Sequence, residues 1–304
     1  MPASADAPRS SAEDATPAPR TPERRAPERR APERRALEAF PQPPLRPTRY
    51  PVVLLHGFGA LAALLPGGML HAQALHLRAH GVAAYAPNVN PYDTVPVRAA
   101  VWAERLEVIR RETGAEKLNL IAFSTGGLDA RHLATALGWA DRLAAIVTVS
   151  TPHRGTPLAQ FLLDHPRAVG RWAIGAMDRV GRRAFADAPP RAAEAVRTFT
   201  PAARAADPCA PIPGVYCASY AAAAGRGARV PIHPLLLPHH RIIYADAGPN
   251  DGFVPVESAW WGERLGILPA DHGQLVGIEL LPSKAFAAPD FYLSVAEHLR
   301  VRGF

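Results

Sequence analysis

The fold is decided by the segment Asn119-Leu120-Ile121-Ala122-Phe123-Ser124-Thr125-Gly126-Gly127, in which an apolar run ends at a serine flanked by small residues. This pattern is typical of a nucleophile elbow, where a strand enters a helix through a strained turn and the serine Oγ stands clear of the sheet. Ala122 and Gly126 occupy the two positions at which small residues let neighbouring backbones pass closely. A strand that ends at a serine N-cap would give the same short pattern, so the surrounding sequence has to decide between the two.

Apolar runs alternate with helical patterns from Tyr50 onward. Strands are predicted at 52–55, 118–123, 145–149 and 242–244. Helices are predicted at 71–80, 97–111, 125–137 and 289–300. The alternation indicates an α/β fold with a mostly parallel central sheet flanked by helices, whose ligand site lies at the carboxyl ends of the strands.

Three residue types that serine-based acyl transfer requires follow in order along the chain. The chemistry needs a base for the Oγ proton, an acid that orients the base, and donors for the developing oxyanion. Asp251 stands in a turn after the predicted strand at 242–244, and His272 stands in a turn near the carboxyl terminus. The order Ser124, Asp251, His272 is that of an α/β-hydrolase triad, so these three residues are the predicted nucleophile, acid and base.

The oxyanion hole of such a fold uses two backbone N–H groups. Thr125, which follows the nucleophile, is predicted to supply the first, and Phe58 in the loop after the first strand is predicted to supply the second. Gly57 and Gly59 on either side of Phe58 allow the backbone to turn an amide inward. His56 is interpreted as a structural histidine that stabilises this loop.

Residues 50–300 resemble the bacterial true-lipase family of α/β hydrolases, the triacylglycerol lipases and related esterases. Five motifs carry the resemblance, at 50–59, 119–128, 150–156, 250–256 and 271–272. The resemblance implies an α/β-hydrolase fold and hydrolysis of a lipid or small ester. Two departures from the family pattern occur: Ala122-Phe123 replaces Gly-His before the serine, and Gly273-Gln274 replaces the neighbourhood of a calcium-ligating aspartate. No calcium and no other cofactor are therefore expected.

Three segments are predicted along the chain. Residues 1–47 are rich in proline, arginine and glutamate and contain three near-identical pentads, which predicts a disordered tail. Residues 48–304 form the predicted α/β-hydrolase catalytic domain. Within it, about 156–208 carries helical patterning that predicts either a lid over the serine or a helical cap packed on the core. Cys209 and Cys217 are expected to be free thiols, with one small disulfide loop as the alternative.

Composition excludes several classes of protein. The chain has 304 residues, of which 48% are hydrophobic and 20% charged, as expected for one large globular domain. The longest apolar stretch, 58–70, is interrupted by Pro66-Gly67-Gly68 and is too short to span a membrane. The net charge of +7 comes from scattered arginines without interleaved aromatic residues, so no nucleic-acid partner is expected. No secretory signal is visible, which predicts a cytoplasmic protein, or a secreted one if the start codon is mis-called.

The leading hypothesis is a serine hydrolase that cleaves carboxylic esters with apolar acyl groups. The same triad would also serve a thioesterase, an acyltransferase or a polyester depolymerase, because the acyl acceptor depends on the shape of the pocket. A binding protein that has kept the hydrolase fold without activity is the alternative from another class. A transient contact of the lid with a lipid surface is a further expectation.

Overall fold

Six strands form one parallel sheet in the computed structural model, which describes residues 44–59, 68–165, 191–278 and 286–304. Their spatial order is β2-β1-β3-β4-β5-β6, and every neighbouring pair is parallel. The strands are β1 Val52–Leu55, β2 Ala84–Tyr85, β3 Leu118–Phe123, β4 Leu143–Val149, β5 Tyr216–Ala222 and β6 Glu263–Leu268. The predicted α/β class with a mostly parallel central sheet is confirmed.

Helices connect the strands and cover both faces of the sheet. They are α1 His71–Ala79, α2 Val95–Thr113, α3 Gly126–Ala136, α4 Pro157–Asp164, α5 Ala192–Thr198, α6 Pro201–Arg204, α7 Leu237–Ala247 and α8 Ala288–Val301. Helix α2 ends at Gly114, whose φ of 65° is in the left-handed region that a glycine adopts without steric cost. The four predicted helices correspond to α1, α2, α3 and α8.

The two faces of β1 explain why its sequence is a continuous apolar run. Val52 and Leu54 belong to a core on one side of the sheet, together with residues of α1 and α8. Val53 and Leu55 belong to the core on the other side, together with residues of α2 and α3. A strand with both faces buried has no solvent-facing position at which a polar residue would be favourable.

The strand predicted at 242–244 is wrong, because these residues lie in α7. A short apolar run does not distinguish a buried strand from one turn of a buried helix. The better signal is Pro238 near the start of the segment, since proline is favoured in the first turn of a helix. Asp251 therefore follows a helix, and the preceding strand, β5, ends much earlier at Ala222.

Strands β2, β5 and β6 were not predicted from the sequence, and for β5 the composition gives a physical reason. Strand β5 reads Tyr-Cys-Ala-Ser-Tyr-Ala-Ala and is composed largely of small residues with weak strand propensity. It is nevertheless almost wholly buried, because it pairs with β4 on one side and β6 on the other. Tertiary pairing decides its conformation, and that information is not local in the sequence.

Several predictions fall largely on residues outside the described ranges. Of the predicted tail, only 44–47 is described, and there the Arg46 N–H donates to the carbonyl of His80 at 2.7 Å. Of the predicted lid at 156–208, the described parts contain α4, α5 and α6, and 166–190 lies outside them. Cys209 and Cys217 are free thiols. Among the described helices, none combines the length and the apolar character needed to cross a bilayer. The cytoplasmic location stays a prediction.

Candidate active site

Ser124 stands at the junction of β3 and α3 in a strained backbone conformation. Its φ is 54°, a value that is uncommon for a residue other than glycine, and its N–H donates to the carbonyl of Val149 at 2.9 Å. The turn is close to the neighbouring strand, because a Cβ added to Gly126 would lie 2.7 Å from the carbonyl oxygen of Leu55. The predicted elbow therefore has both of its expected features, a strained serine and a glycine at a backbone crossing.

The three residues of the predicted triad lie in one hydrogen-bonded chain. Ser124 Oγ is 3.0 Å from His272 Nε2, and His272 Nδ1 is 2.6 Å from Asp251 Oδ2. The backbone N–H of His272 also donates to the carbonyl of Asp251 at 2.9 Å, which ties the two loops together. The His272 side chain is 12% exposed, whereas Asp251 is fully buried. The imidazole is therefore partly open to solvent, whereas the acid is shielded from water.

The carboxylate of Asp251 is held on both of its oxygens. Oδ1 accepts the backbone N–H groups of Phe253 at 2.9 Å and Val254 at 2.8 Å. Oδ2 accepts the hydroxyl of Ser150 at 2.6 Å in addition to His272. Burial by itself raises the pKa of Asp251, but His272, Ser150 and the Val254 N–H outweigh it, and the net effect lowers that pKa. The acid therefore stays ionised although it is buried.

Two aromatic rings contact the imidazole of His272. The ring centroid of Phe123 lies 4.6 Å from that of His272, and the centroid of Phe253 lies 5.0 Å from it. The residue that directly precedes the nucleophile therefore contacts the predicted base. The buried Phe123 side chain restricts the orientation of the imidazole.

The loop after β1 lies directly against the nucleophile. A Cβ added to Gly57 would be 2.5 Å from Ser124 Cβ and 3.0 Å from Ser124 Oγ, so only glycine fits there. The next ring, Phe58, makes edge contacts with Tyr92 at 5.7 Å and Phe199 at 5.6 Å. The loop that carries Phe58 therefore lies beside Ser124, and the roles of Phe58 and Thr125 as oxyanion donors stay predictions.

A buried arginine holds the carbonyl groups of this loop. Arg98 on α2 donates to the carbonyl of His56 at 2.7 Å and to that of Gly57 at 3.3 Å. Asp129 on α3 anchors the guanidinium through contacts of 2.9 Å and 2.7 Å to a single carboxylate oxygen. Because the Gly57 carbonyl and the Phe58 N–H belong to one trans peptide, fixing the carbonyl also fixes the direction of the N–H.

His56 has the structural role predicted for it. Its Nδ1 is 2.9 Å from the Gly57 carbonyl, and its Nε2 accepts the N–H of Val89 at 3.1 Å. Burial lowers the pKa of His56 to about 3, and the charge of Arg98 adds to the effect. The ring is neutral at physiological pH and stabilises the loop without access to Ser124.

Known structures of esterases and lipases superpose on the fold of this chain. A metagenomic carboxyl esterase superposes with a TM-score of 0.64 at 20% identity, over 83% of this chain and 76% of that one. A mature lipase of Bacillus licheniformis superposes with a TM-score of 0.58 at 20% identity, over 84% of this chain and 96% of that one. The chain has the α/β-hydrolase fold. This confirms the fold that the resemblance to bacterial lipases implied.

Curated relatives of this α/β-hydrolase chain are lipases. It is 31% identical over 121 residues to a triacylglycerol lipase of Pseudarthrobacter phenanthrenivorans, covering 38% of this chain and 37% of the relative. It is 29% identical over 115 residues to a triacylglycerol lipase of Pseudomonas fragi, covering 38% of this chain and 39% of the relative. No protein-family model matches the chain. The matched segment spans little more than a third of these relatives, and it confirms the resemblance to the lipase and esterase group.

Two groups of residues in this α/β-hydrolase site were not predicted from the sequence. Ser150 follows β4 directly, as Ser124 follows β3, so the shared edge of a parallel sheet was a usable signal. Arg98 stands one helical turn before Trp102 on the apolar stripe of α2, where a charged residue needs a buried partner. Its partner Asp129 lies on the next helix, which sequence spacing does not reveal.

The described residues contain no group of three or more His, Cys, Asp or Glu side chains arranged to hold a metal ion. The side chain of Asp271, next to the histidine, is engaged otherwise: its Oδ1 accepts the N–H groups of Gly273 and Gln274, each at 3.0 Å. Its Oδ2 accepts the N–H of His233 at 3.3 Å. The expectation that activity needs no calcium stays a prediction.

Proposed function

We propose that the chain is a serine hydrolase that cleaves carboxylic esters of apolar acyl groups through an acyl-enzyme on Ser124. The observation that carries the proposal is the hydrogen-bonded chain from Ser124 Oγ to His272 Nε2 at 3.0 Å and from His272 Nδ1 to Asp251 at 2.6 Å. Nucleophile, base and orienting acid in hydrogen-bond reach of one another are the arrangement that acyl transfer needs.

Each residue of the triad has a separate role in the proposed reaction. His272 takes the proton of Ser124 as the hydroxyl attacks the ester carbonyl, and then gives that proton to the leaving alcohol. Asp251 holds the imidazole in the orientation that leaves Nε2 free to accept, and it stabilises the imidazolium that forms. Water then attacks the acyl-enzyme with His272 again acting as the base. The alcohol and the acid are the two products.

The proposed oxyanion donors are the backbone N–H groups of Phe58 and Thr125. Within the described ranges, neither of these N–H groups donates to a backbone carbonyl, so both are available for a substrate oxygen. Arg98 fixes the orientation of the Phe58 peptide by donating to the Gly57 carbonyl. Donors that are already oriented before the reaction stabilise the tetrahedral intermediate without reorganisation, and loss of one such donor costs about 100-fold to 1,000-fold in kcat.

An apolar cluster beside the Phe58 loop supports the assignment of an apolar acyl group. Phe58, Leu162 and Leu163 pack against this cluster, which is formed by buried residues of α2, α3, α4 and α5 and by the residue after α5: Val95, Leu128, Ala159, Ala195, Val196 and Phe199. Helices α4 and α5 belong to the predicted lid. We propose that this cluster accommodates the acyl chain of a lipid or small ester and that the lid segment contacts a lipid surface during binding.

Hydrolysis of p-nitrophenyl butyrate and palmitate tests the proposal. The purified protein is compared with Ser124→Ala and Asp251→Asn, each with and without EDTA. We expect hydrolysis of at least one ester by the unmodified chain, near-complete loss in Ser124→Ala, and loss of about 10⁴-fold in Asp251→Asn because the tautomer of the histidine is no longer fixed. Activity should survive EDTA. Thr148→Val, a buried substitution away from the triad, serves as the control for folding.

Labelling with a fluorophosphonate separates the alternatives. A chain that labels at Ser124 but hydrolyses neither ester has a working triad and uses another acyl donor or acceptor, as a thioesterase or acyltransferase would. A chain that neither labels nor hydrolyses is a binding protein with the hydrolase fold. Activity that disappears with EDTA and returns with calcium would contradict the expected independence of metal.

A further inference from the structure

Ser150, which follows β4, contacts the proposed acid with its side chain, whereas the other described side-chain partners of Asp251 lie on its own loop or on the loop of His272. Ser150 has a φ of 47°, and its N–H donates to the carbonyl of Tyr220 at 2.8 Å. Its Oγ donates to Asp251 Oδ2 at 2.6 Å, the same oxygen that His272 Nδ1 approaches at 2.6 Å. The side chains of Ser150 and Asp251 are both buried.

We propose that Ser150 is a positioning residue of the triad, whose hydroxyl holds the Asp251 oxygen that pairs with His272 and shares its negative charge. This inference rests on the proposed function and adds a fourth member to the site. Ser150 acts through Asp251, because its hydrogen bonds within the described residues go to the acid and to the backbone of β5 and do not reach the nucleophile or the base.

Among the described residues, the Ser150 hydroxyl and His272 are the partners of Asp251 Oδ2. Oδ1 of Asp251 is fixed by two backbone N–H groups, which set one end of the carboxylate. Oδ2 must point at His272 and also needs a second donor, since a carboxylate oxygen has two lone pairs and is buried here. The Ser150 hydroxyl is that donor. Its left-handed backbone conformation, uncommon for serine, is what turns the end of β4 toward the acid.

Charged and titratable groups around the imidazole do not provide the same contact. Asp271 precedes His272 on its own turn, and its carboxylate is occupied by backbone N–H groups. His239 on α7 contacts the ring of Phe253, with a distance of 5.2 Å between the two ring centroids, and Phe253 in turn contacts the imidazole of His272. Removal of the Ser150 hydroxyl therefore changes the environment of His272 through Asp251.

The direction of the effect follows from the charge of the acid. Burial raises the pKa of Asp251, whereas His272 and the Ser150 hydroxyl lower it. Without the hydroxyl, the carboxylate becomes more basic and holds the imidazolium more strongly. The acidic limb of the profile of reaction rate against pH should move to higher pH. The plateau rate should fall because the orientation of the imidazole is less well fixed.

The test compares Ser150→Ala and Ser150→Gly with the unmodified chain between pH 5 and pH 9. Two readouts are measured at each pH: the second-order rate of Ser124 labelling by a fluorophosphonate, and kcat and KM for p-nitrophenyl butyrate. We expect both variants to move the acidic limb upward by about half a pH unit or more, and to lower the plateau kcat by about threefold to tenfold with little change in KM. Thr148→Val, which removes a buried hydroxyl from β4 away from the triad, should leave the limb in place.

Two variants keep the test decisive. Glycine adopts a φ of 47° without strain, so Ser150→Gly remains informative if Ser150→Ala does not fold. The inference would be overturned if the acidic limb of a folded variant stays in place or moves to lower pH. It would also be overturned if both variants fold and only one of them shows the shift. If the unmodified chain labels but does not hydrolyse the ester, the proposed function fails while the labelling profile still decides the role of Ser150. A chain that does not label at all overturns both.

Discussion

Replacement of Arg98 by methionine should destabilise the protein and slow catalysis at once. Methionine retains much of the length of the arginine stem, but it removes the guanidinium that contacts Asp129 at 2.7 Å and the His56 carbonyl at 2.7 Å. Arg98 and Asp129 are both buried, with 1% and 0% of their side chains exposed. Removal of one partner therefore leaves a carboxylate in the core without its counter-charge.

The expected loss of stability is about 3–5 kcal/mol, the range for breaking a buried ion pair by removal of one partner. Burial raises the pKa of Asp129, and Arg98 and the Trp102 N–H oppose this rise. Without Arg98 the pKa rises further, so the folded variant holds a proton that the unfolded chain releases. The stability of the variant should therefore fall as pH rises from the unfolded pKa of about 4 toward the raised folded value.

Urea unfolding followed by tryptophan fluorescence measures this difference. Arg110→Met is the matched control on the same helix, because Arg110 pairs with Glu107 at the surface and such pairs contribute about 0–1 kcal/mol. The double variant Arg98→Met, Asp129→Asn should recover part of the loss, since the unpaired charge is gone. For catalysis we expect kcat to fall by about tenfold or more because the Phe58 N–H loses its fixed direction.

Two results would refute this reasoning. If Arg98→Met loses no more stability than Arg110→Met, the buried pair does not stabilise the fold. If stability falls as expected but kcat is unchanged in the fraction that remains folded, then the contact of Arg98 with the Gly57 carbonyl does not orient the oxyanion donor.

Three further predictions concern the immediate surroundings of the nucleophile. Gly57→Ala should lower kcat by about 100-fold or more, because its Cβ would lie 2.5 Å from Ser124 Cβ; a near-normal kcat would show that the loop can move away. Phe123→Leu should lower kcat a few-fold and stability by about 1 kcal/mol, since the ring contact with His272 is lost while most of the apolar volume is kept; thermal unfolding and steady-state kinetics measure the two effects. Burial lowers the pKa of His56 from 6.5 to about 3, so the stability that this neutral ring contributes is present above about pH 6.5 and lost as pH falls toward 3. His56→Gln should therefore flatten the decline in stability between pH 7 and pH 4, and an equally steep decline would contradict this.

The elbow and the order of the triad were predictable because both depend on short-range patterns. A glycine pair after a serine and a continuous apolar run before it specify local backbone geometry. The position of β5 was not predictable, because alanine, serine and cysteine make up five of its seven residues and have little intrinsic strand preference, so its pairing with β4 and β6 decides its conformation. The error at 242–244 also reflects a weak local signal. Three apolar residues fit the periodicity of a strand as well as that of a helix, and only the longer segment that begins at Leu237 indicates a helix.

The contacts that orient the site are the part that sequence patterns conceal. Arg98 and Asp129 are 31 positions apart, and Ser150 and Asp251 are 101 apart, yet both pairs make buried side-chain hydrogen bonds. Which polar residues meet depends on how helices and strand ends pack, and spacing along the chain does not encode it. A polar residue on an apolar stripe still signals that a partner exists, even when the sequence does not name that partner.

Asp251 and Asp129, two of the buried aspartates of the described chain, differ in a way that fits separate roles. Asp251 has donors on both oxygens, and its pKa is lowered in spite of burial. Asp129 directs its contacts to one oxygen, its Oδ1 has no hydrogen-bond partner among the described residues, and its pKa is raised. The acid that faces the histidine is thus the better stabilised charge of the two. Asp129 depends on Arg98 for its negative charge. Loss of one partner should therefore perturb the Arg98–Asp129 pair, which holds the loop of Phe58, more than it perturbs Asp251.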